Sequence, residues 1–186
     1  MWRVRADDLI AQWRAATPFA HVVIDDVVAP ADLDRIMAIL DEEPVEHAES
    51  DIFSFDATAP EPTTEAFREL RDGFARELAP VFSRVGGRAV SRVDMRAYAY
   101  RPGHYLLPHT DHQEPLGRVY AYAFYLPSPE PPTDGDLELF AGYTSAKRIE
   151  PRANRLVVFE VGDQSLHQVR EVLAGLRISL AGWFFP

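Results

Sequence analysis

The run Tyr100-Arg101-Pro102-Gly103-His104-Tyr105-Leu106-Leu107-Pro108-His109-Thr110-Asp111 places two metal-capable side chains, His109 and Asp111, two residues apart. In extended backbone, side chains at i and i+2 leave the same face of the chain. The pair therefore offers one imidazole and one carboxylate to a single ion. One short segment cannot surround an ion, so a third ligand has to come from another strand. His167, in Ser165-Leu166-His167-Gln168-Val169, stands in a suitable place for it. Two imidazoles and one carboxylate on one face of a metal, with positions left open, suit non-haem Fe(II) and O2. His-x-Asp alone is a weak signal, and a surface histidine beside a turn aspartate is its simpler reading.

The residues beyond His167 strengthen the metal reading. Arg177 comes ten residues on, inside Gly175-Leu176-Arg177-Ile178-Ser179-Leu180-Ala181-Gly182-Trp183-Phe184-Phe185. That run reads as a largely buried strand, and a guanidinium inside it needs an anionic partner. Its planar fork matches a carboxylate through two parallel hydrogen bonds. A metal triad together with a buried Arg for a distal carboxylate is what an iron enzyme using 2-oxoglutarate requires. Ser179 lies two residues beyond Arg177 on the same face, either as a further hydroxyl for that carboxylate or as an ordinary strand serine.

On these residues, the segment from about Tyr98 to the C-terminus resembles the prolyl 4-hydroxylase-like branch of the 2-oxoglutarate/Fe(II) dioxygenases. The resemblance implies that His109, Asp111 and His167 are the iron ligands and Arg177 the anchor for 2-oxoglutarate. It implies that Tyr125, in Phe124-Tyr125-Leu126-Pro127, hydrogen-bonds the same carboxylate and that Tyr100 lines the co-substrate pocket. Trp183 matches an aromatic of the last core strand. Asp134-Gly135-Asp136-Leu137-Glu138-Leu139-Phe140 matches a Gly-Gly-x-Leu-x-Phe segment, with Asp134 replacing the first glycine and putting the turn there in question. With Asp111 present as a ligand, the resemblance implies hydroxylation rather than halogenation, since relatives that halogenate carry a small residue at this position.

Composition narrows the remaining classes. A chain of 186 residues, 47% of them apolar, is expected to be one domain with a real core. There is no cysteine, so neither a disulfide framework nor thiolate chemistry is available. A formal charge of −10 argues against nonspecific binding to nucleic acid or to an anionic membrane. No apolar run approaches the length of a membrane span, and Met1 to Asp8 lacks the apolar core of a signal peptide. A soluble cytoplasmic protein is the expectation.

Along the chain, Asp7 to Ala16 reads as a short amphipathic helix, Phe19 to Ile24 as a strand, and Pro30 to about Leu40 as a helix with Leu33, Ile36, Met37 and Leu40 on one stripe. Glu42 to Thr63 is irregular. It reads as one short strand around Ile52-Phe53-Ser54-Phe55 flanked by loops, and as a candidate specificity loop or a plain surface connection. Thr64 to about Val85 is the longest helix, with Pro80 expected to kink it or end it early and Gly86-Gly87 as its stop. From Val90 onward about eight short strands alternate with Gly, Pro and Asp turns. The expected fold is α+β and mainly β: a double-stranded β-helix (jelly-roll, cupin-like) core with N-terminal helices packed on one face. The single domain, residues 1–186, divides into a helical support layer with edge strands (1–88) and a catalytic β core (89–186).

Among the other polar residues, His112 is the rival ligand, although extended backbone points it away from Asp111. His104 is read as surface or pocket mouth, His21 as structural, His47 as a residue of the irregular segment, and Arg170 as an exposed partner of Glu171. The reading is an Fe(II)/2-oxoglutarate/O2-dependent hydroxylase with ascorbate as a candidate reductant. Its first substrate guess is a prolyl residue, proline or a related amino-acid-derived metabolite, so the partner is a peptide or a small molecule. Two alternatives stand beside it: a metal oxygenase of the same fold that does not use 2-oxoglutarate, and a non-catalytic metal-binding module.

Overall fold

The computed structural model describes residues 1–186. Three helices come early: α1 (Ala6–Ala15), α2 (Pro30–Leu40) and α3 (Glu65–Gly86). The strands are β1 (His21–Ile24), β2 (Val45–Ser50), β3 (Phe53–Thr58), β4 (Arg92–Val93), β5 (Arg96–Tyr100), β6 (Tyr105–His109) and β7 (Tyr120–Leu126). They continue as β8 (Thr133–Asp134), β9 (Leu137–Ala141), β10 (Thr144–Ile149), β11 (Leu156–Glu160), β12 (His167–Val169), β13 (Val172–Ala174) and β14 (Arg177–Phe185). One sheet runs β1-β11-β7-β14-β5-β3-β6-β12-β9-β10, with β2 added on β3 and β4 on β14. The path curls on itself, so that Leu137 and Leu139 of β9 share a buried cluster with Ala121, Ala123 and Tyr125 of β7. This is the half-open antiparallel barrel of a double-stranded β-helix.

Strand β7 shows how the layers are built. All seven of its residues are buried, because both faces are covered. Tyr120, Tyr122, Phe124 and Leu126 point outward into the larger core, which includes Phe67, Leu70, Phe74, Leu78 and Phe82 of α3. The Phe74 ring lies 4.6 Å from Tyr122, and Phe82 lies 5.4 Å from Phe184 of β14. Each such fully buried aromatic contributes about 1.5–3 kcal/mol. The alternate residues Ala121, Ala123 and Tyr125 point inward, and the two alanines leave a cavity unfilled.

The structure departs from the sequence reading in four places. Val45 to Thr58 is a two-stranded hairpin rather than one strand between loops. Its strand β3 is not an edge: it lies between β5 and β6 and joins the two halves of the sheet, so residues 1–88 contribute to the core and not only to a support layer. Helix α3 runs through Pro80 to Gly86. Pro80 is exposed while Leu78, Ala79 and Phe82 are buried beside it, so packing outweighs one missing backbone hydrogen bond on the solvent side. Arg170 pairs with Asp134 and Glu138 rather than Glu171. The expected stop holds: Gly87 takes φ 75°. A Cβ at Gly86 would run into the Tyr120 hydroxyl.

The start of α3 rests on one buried carboxylate. Glu43 accepts hydrogen bonds from Thr63 N and Oγ1 at 3.1 and 2.9 Å and from Thr64 N and Oγ1 at 2.6 and 2.5 Å. Thr64 Oγ1 in turn accepts from Phe67 N as the helix cap. Burial pushes the Glu43 carboxyl up, but these donors outweigh it and hold it below the usual glutamate range. A group depressed in the folded state stabilises above its unfolded pKa, and loses that contribution as pH falls through the folded one. Glu43→Ala should therefore lower stability by about 2–4 kcal/mol near neutral pH. Urea unfolding at neutral and at acidic pH should show the penalty shrinking on the acid side.

Candidate metal centre

Strands β6 and β12 pair antiparallel with His109 directly opposite His167. Their rings lie 4.3 Å apart, centroid to centroid. Each ring is oriented by its own backbone: His109 Nδ1 lies 2.9 Å from Leu107 O, and His167 Nδ1 lies 2.9 Å from Ser165 O. A carbonyl can only accept, so both Nδ1 atoms carry the proton and both Nε2 lone pairs are free. Those lone pairs face one carboxylate. Asp111 Oδ1 lies 3.6 Å from His109 Nε2, and Asp111 Oδ2 lies 3.5 Å from His167 Nε2. The carbonyl-bound imidazole is the arrangement that fixes metal-binding histidines elsewhere. One ligand atom from each residue falls within 4.8 Å of the others.

The electrostatics agree with a cation site. Asp111 is 6% exposed and His167 5%. Burial raises the Asp111 carboxyl, but the adjacent His109 and His167 outweigh it and hold it at about 2. Burial lowers His109, yet Asp111 draws it above its usual value. Deeper burial wins at His167, which is held below the usual value, keeping it neutral and able to ligate. His112, the rival ligand, lies instead 3.4 Å from Asp163. His21 is a buried structural residue, with Nδ1 on Phe19 O and Nε2 against Lys147.

The triad opens into a cavity of about 360 Å3 that Arg177 also lines. Arg177, Ser179, Ala181 and Trp183 project into it from alternate positions of β14. Arg177 is 3% exposed, and its Nε is buried with no hydrogen-bond partner. Its guanidinium lies 4.7 Å from the Tyr100 ring centre and 5.0 Å from that of Tyr125. The Tyr125 hydroxyl and Ser179 Oγ are likewise buried and unpartnered. Tyr100 and Ser179 face the cavity directly, while Tyr125, opposite Ser179 in register, sits behind that surface. A cation beside two unpaired hydroxyls, with no acid of the chain paired to it, is a site for an anion from outside.

The Asp134-Gly135 turn helps to hold Arg177 in place. Asp134 adopts φ 62°, a left-handed conformation that Asp tolerates, so the turn forms with Asp in place of the expected glycine. Its carboxylate pairs with Arg148 and Arg170, 2.9 and 3.0 Å away. Gly135, at φ 75°, packs so closely that a Cβ there would press on Val172 and come within 3.3 Å of Arg177 Cδ.

Arg118 is a site residue that sequence reasoning missed. It stacks 3.5 Å over the Trp183 ring and approaches Asp111 Oδ1 at 4.0 Å. It comes directly after Gly117 in a loop, where no periodicity marks it; only its spacing from Asp111 could have drawn attention. The hairpin supplies the apolar wall opposite, through Ile52, Phe53 and Phe55.

The fold is a jelly roll whose cavity brings together a His-Asp-His cluster and a buried, unpaired arginine. Residues 95–185 match the family model described as the 2OG-Fe(II) oxygenase superfamily. That segment carries the signature of the superfamily, whose members use Fe(II), 2-oxoglutarate and O2. It is similar to mouse "Prolyl 3-hydroxylase OGFOD1", at 30% identity over 190 residues, covering 90% of this chain and 33% of the mouse protein. The Xenopus laevis protein of the same name is 38% identical over 101 residues, covering 50% of this chain and 19% of that protein. The chain thus spans a third or less of the length of these relatives. Among solved structures, a Pseudomonas putida prolyl-4-hydroxylase superposes with a TM-score of 0.76 at 22% identity, covering 97% of this chain and 98% of that one. A Trichoplax adhaerens prolyl hydroxylase, solved with a hypoxia inducible factor peptide, gives 0.73 at 16% identity over 97% and 88% of the two chains.

The donor set fits a divalent transition ion with open positions. His109→Ala or Asp111→Ala should weaken Mn2+ or Co2+ binding by more than the about 10–100-fold that even indirect supports of a metal ligand cost. His112→Ala should leave it unchanged. Calorimetric titration of metal-free protein distinguishes these outcomes, and unchanged binding in Asp111→Ala would remove the triad from consideration.

Proposed function

We propose that this chain is an Fe(II)/2-oxoglutarate-dependent hydroxylase acting on a prolyl residue of a peptide or protein. Its curated relatives are named for that reaction. The observation that carries the reading is the buried, unpaired Arg177 lining the same cavity as His109, Asp111 and His167. A dicarboxylate keto acid accounts for both ends of that cavity at once, whereas a metal-binding module or a monodentate oxygenase leaves Arg177 unexplained. In this reading His109, Asp111 and His167 hold the iron, and Arg177 receives the far carboxylate of 2-oxoglutarate with Ser179 and Tyr125. Bound iron supplies the O2 activation that couples conversion of 2-oxoglutarate to succinate and CO2 with insertion of one oxygen atom into a C–H bond.

The chain's own residues prepare this chemistry. Asp111 is ionised across the physiological range and offsets one of the two charges of a ferrous ion. The carbonyl-held imidazoles keep their lone pairs aimed without reorganisation. Ala121, Ala123 and Ala181 leave room beside the metal where larger residues would fill it. Phe53, Phe55, Tyr98 and Leu106 form a largely apolar wall that suits a pyrrolidine ring. The cytoplasmic location expected from the sequence is part of the proposal.

Anaerobically purified, Fe(II)-loaded protein should convert 2-oxoglutarate to succinate in step with a mass gain of one oxygen on a proline-containing peptide. A peptide library screened by mass spectrometry, with free proline alongside, is the measurement. Turnover on free proline alone would replace the peptide reading, and succinate formed without dependence on added iron would overturn the proposal.

A further inference from the structure

A second cluster of metal-ligating side chains lies on the reverse face of the hairpin wall. His47 of β2 and Asp56 of β3 are paired directly across the hairpin. His47 Nδ1 lies 2.9 Å from Asp56 Oδ1. His104, in the turn closed by its own N–H on Arg101 O, stacks against His47 with ring centres 5.3 Å apart. One ligand atom from each of the three residues falls within 4.8 Å of the others. The neighbouring Phe55 faces the cavity, so alternation puts Asp56 on the opposite side of the same strand.

Two features separate this cluster from an ordinary surface ion pair. His104 Nδ1 is buried and has no hydrogen-bond partner, which a histidine serving only as packing would not require. Glu49, on the same face of β2 as His47, lies 3.7 Å from His47 Nε2. If His47 Nδ1 gives its lone pair to a metal, Nε2 carries the proton and Glu49 is placed to accept it, the outer carboxylate that commonly orients a metal-bound imidazole. Arg101 holds the other oxygen of Asp56, Oδ2, at 2.7 Å and leaves Oδ1 toward the histidines.

We propose that His47, Asp56 and His104 form a Zn2+ site that ties the hairpin wall of the cavity to the segment leading into β6. Two imidazoles and one carboxylate, with water completing four positions, suit Zn2+ better than the oxygen-seeking Mg2+ or Ca2+. The site joins β2, β3 and the turn before Tyr105, so an ion there clamps the wall carrying Phe53 and Phe55 against the strand carrying His109. This inference does not depend on the hydroxylase reading.

The test is Zn2+ stoichiometry of the full chain, by chelator competition. The His109→Ala/Asp111→Ala variant should still bind one equivalent and show a higher Tm with Zn2+ than without. Adding His47→Ala or His104→Ala should abolish both effects, and Glu49→Gln should weaken binding by about tenfold. If that background does not fold, wild type should take up two equivalents and the single His47→Ala and His104→Ala variants one, with unchanged circular dichroism. Wild type saturating at one equivalent, or stoichiometry unaffected by His47→Ala and His104→Ala, would overturn the site.

Discussion

A guanidinium buried in a β-sheet without a counter-charge is the constraint around which this fold is arranged. Removing such an ion from water costs several kcal/mol even after relaxation. Arg177 nevertheless sits on the last core strand between two aromatic rings, with its Nε unpartnered and two unpaired hydroxyls nearby. A protein holds such a group when a ligand completes it. The rest of the architecture supports that position: α3 packs the outer face of β7 and β14, the alanines of the inner face open the cavity, and the Asp134-Gly135 turn presses on the arginine stem.

The metal end obeys a complementary logic. The histidines belong to different strands, yet cross-strand pairing sets them opposite one another. Each ring is turned by the carbonyl two residues earlier, so the same short pattern, His preceded at i−2 by an available carbonyl, is used twice. Asp111 completes the site while remaining ionised in a buried position. The triad and Arg177 thus line one cavity, which suits a molecule with a chelating end and a charged end.

Much of this was legible in the chain. The His109 and Asp111 spacing and the parity of Arg177, Ser179 and Trp183 are local consequences of extended backbone, and period-two reasoning reaches them. The helices were readable because α3 repeats its apolar residues at three and four. The hairpin was not, because β2 is exposed at every position but Ala48 and carries no alternation to read. Pro80 misled because a local propensity was weighed without the aromatic packing that overrides it. Arg118 stayed hidden because its loop carries no periodicity, and the His47, Asp56 and His104 cluster because it depends on the hairpin register and on a distant turn, which one sequence does not display.

The central claim is that one molecule is gripped at both ends, by a metal at the triad and by Arg177. The most direct measurement compares the affinity of Mn2+-loaded protein for 2-oxoglutarate and for pyruvate, a keto acid without the distal carboxylate, in wild type and in Arg177→Ala. The account expects wild type to prefer 2-oxoglutarate by about a hundredfold or more, and Arg177→Ala to lose that preference while its binding of pyruvate is unchanged. An equal preference in both proteins would contradict it.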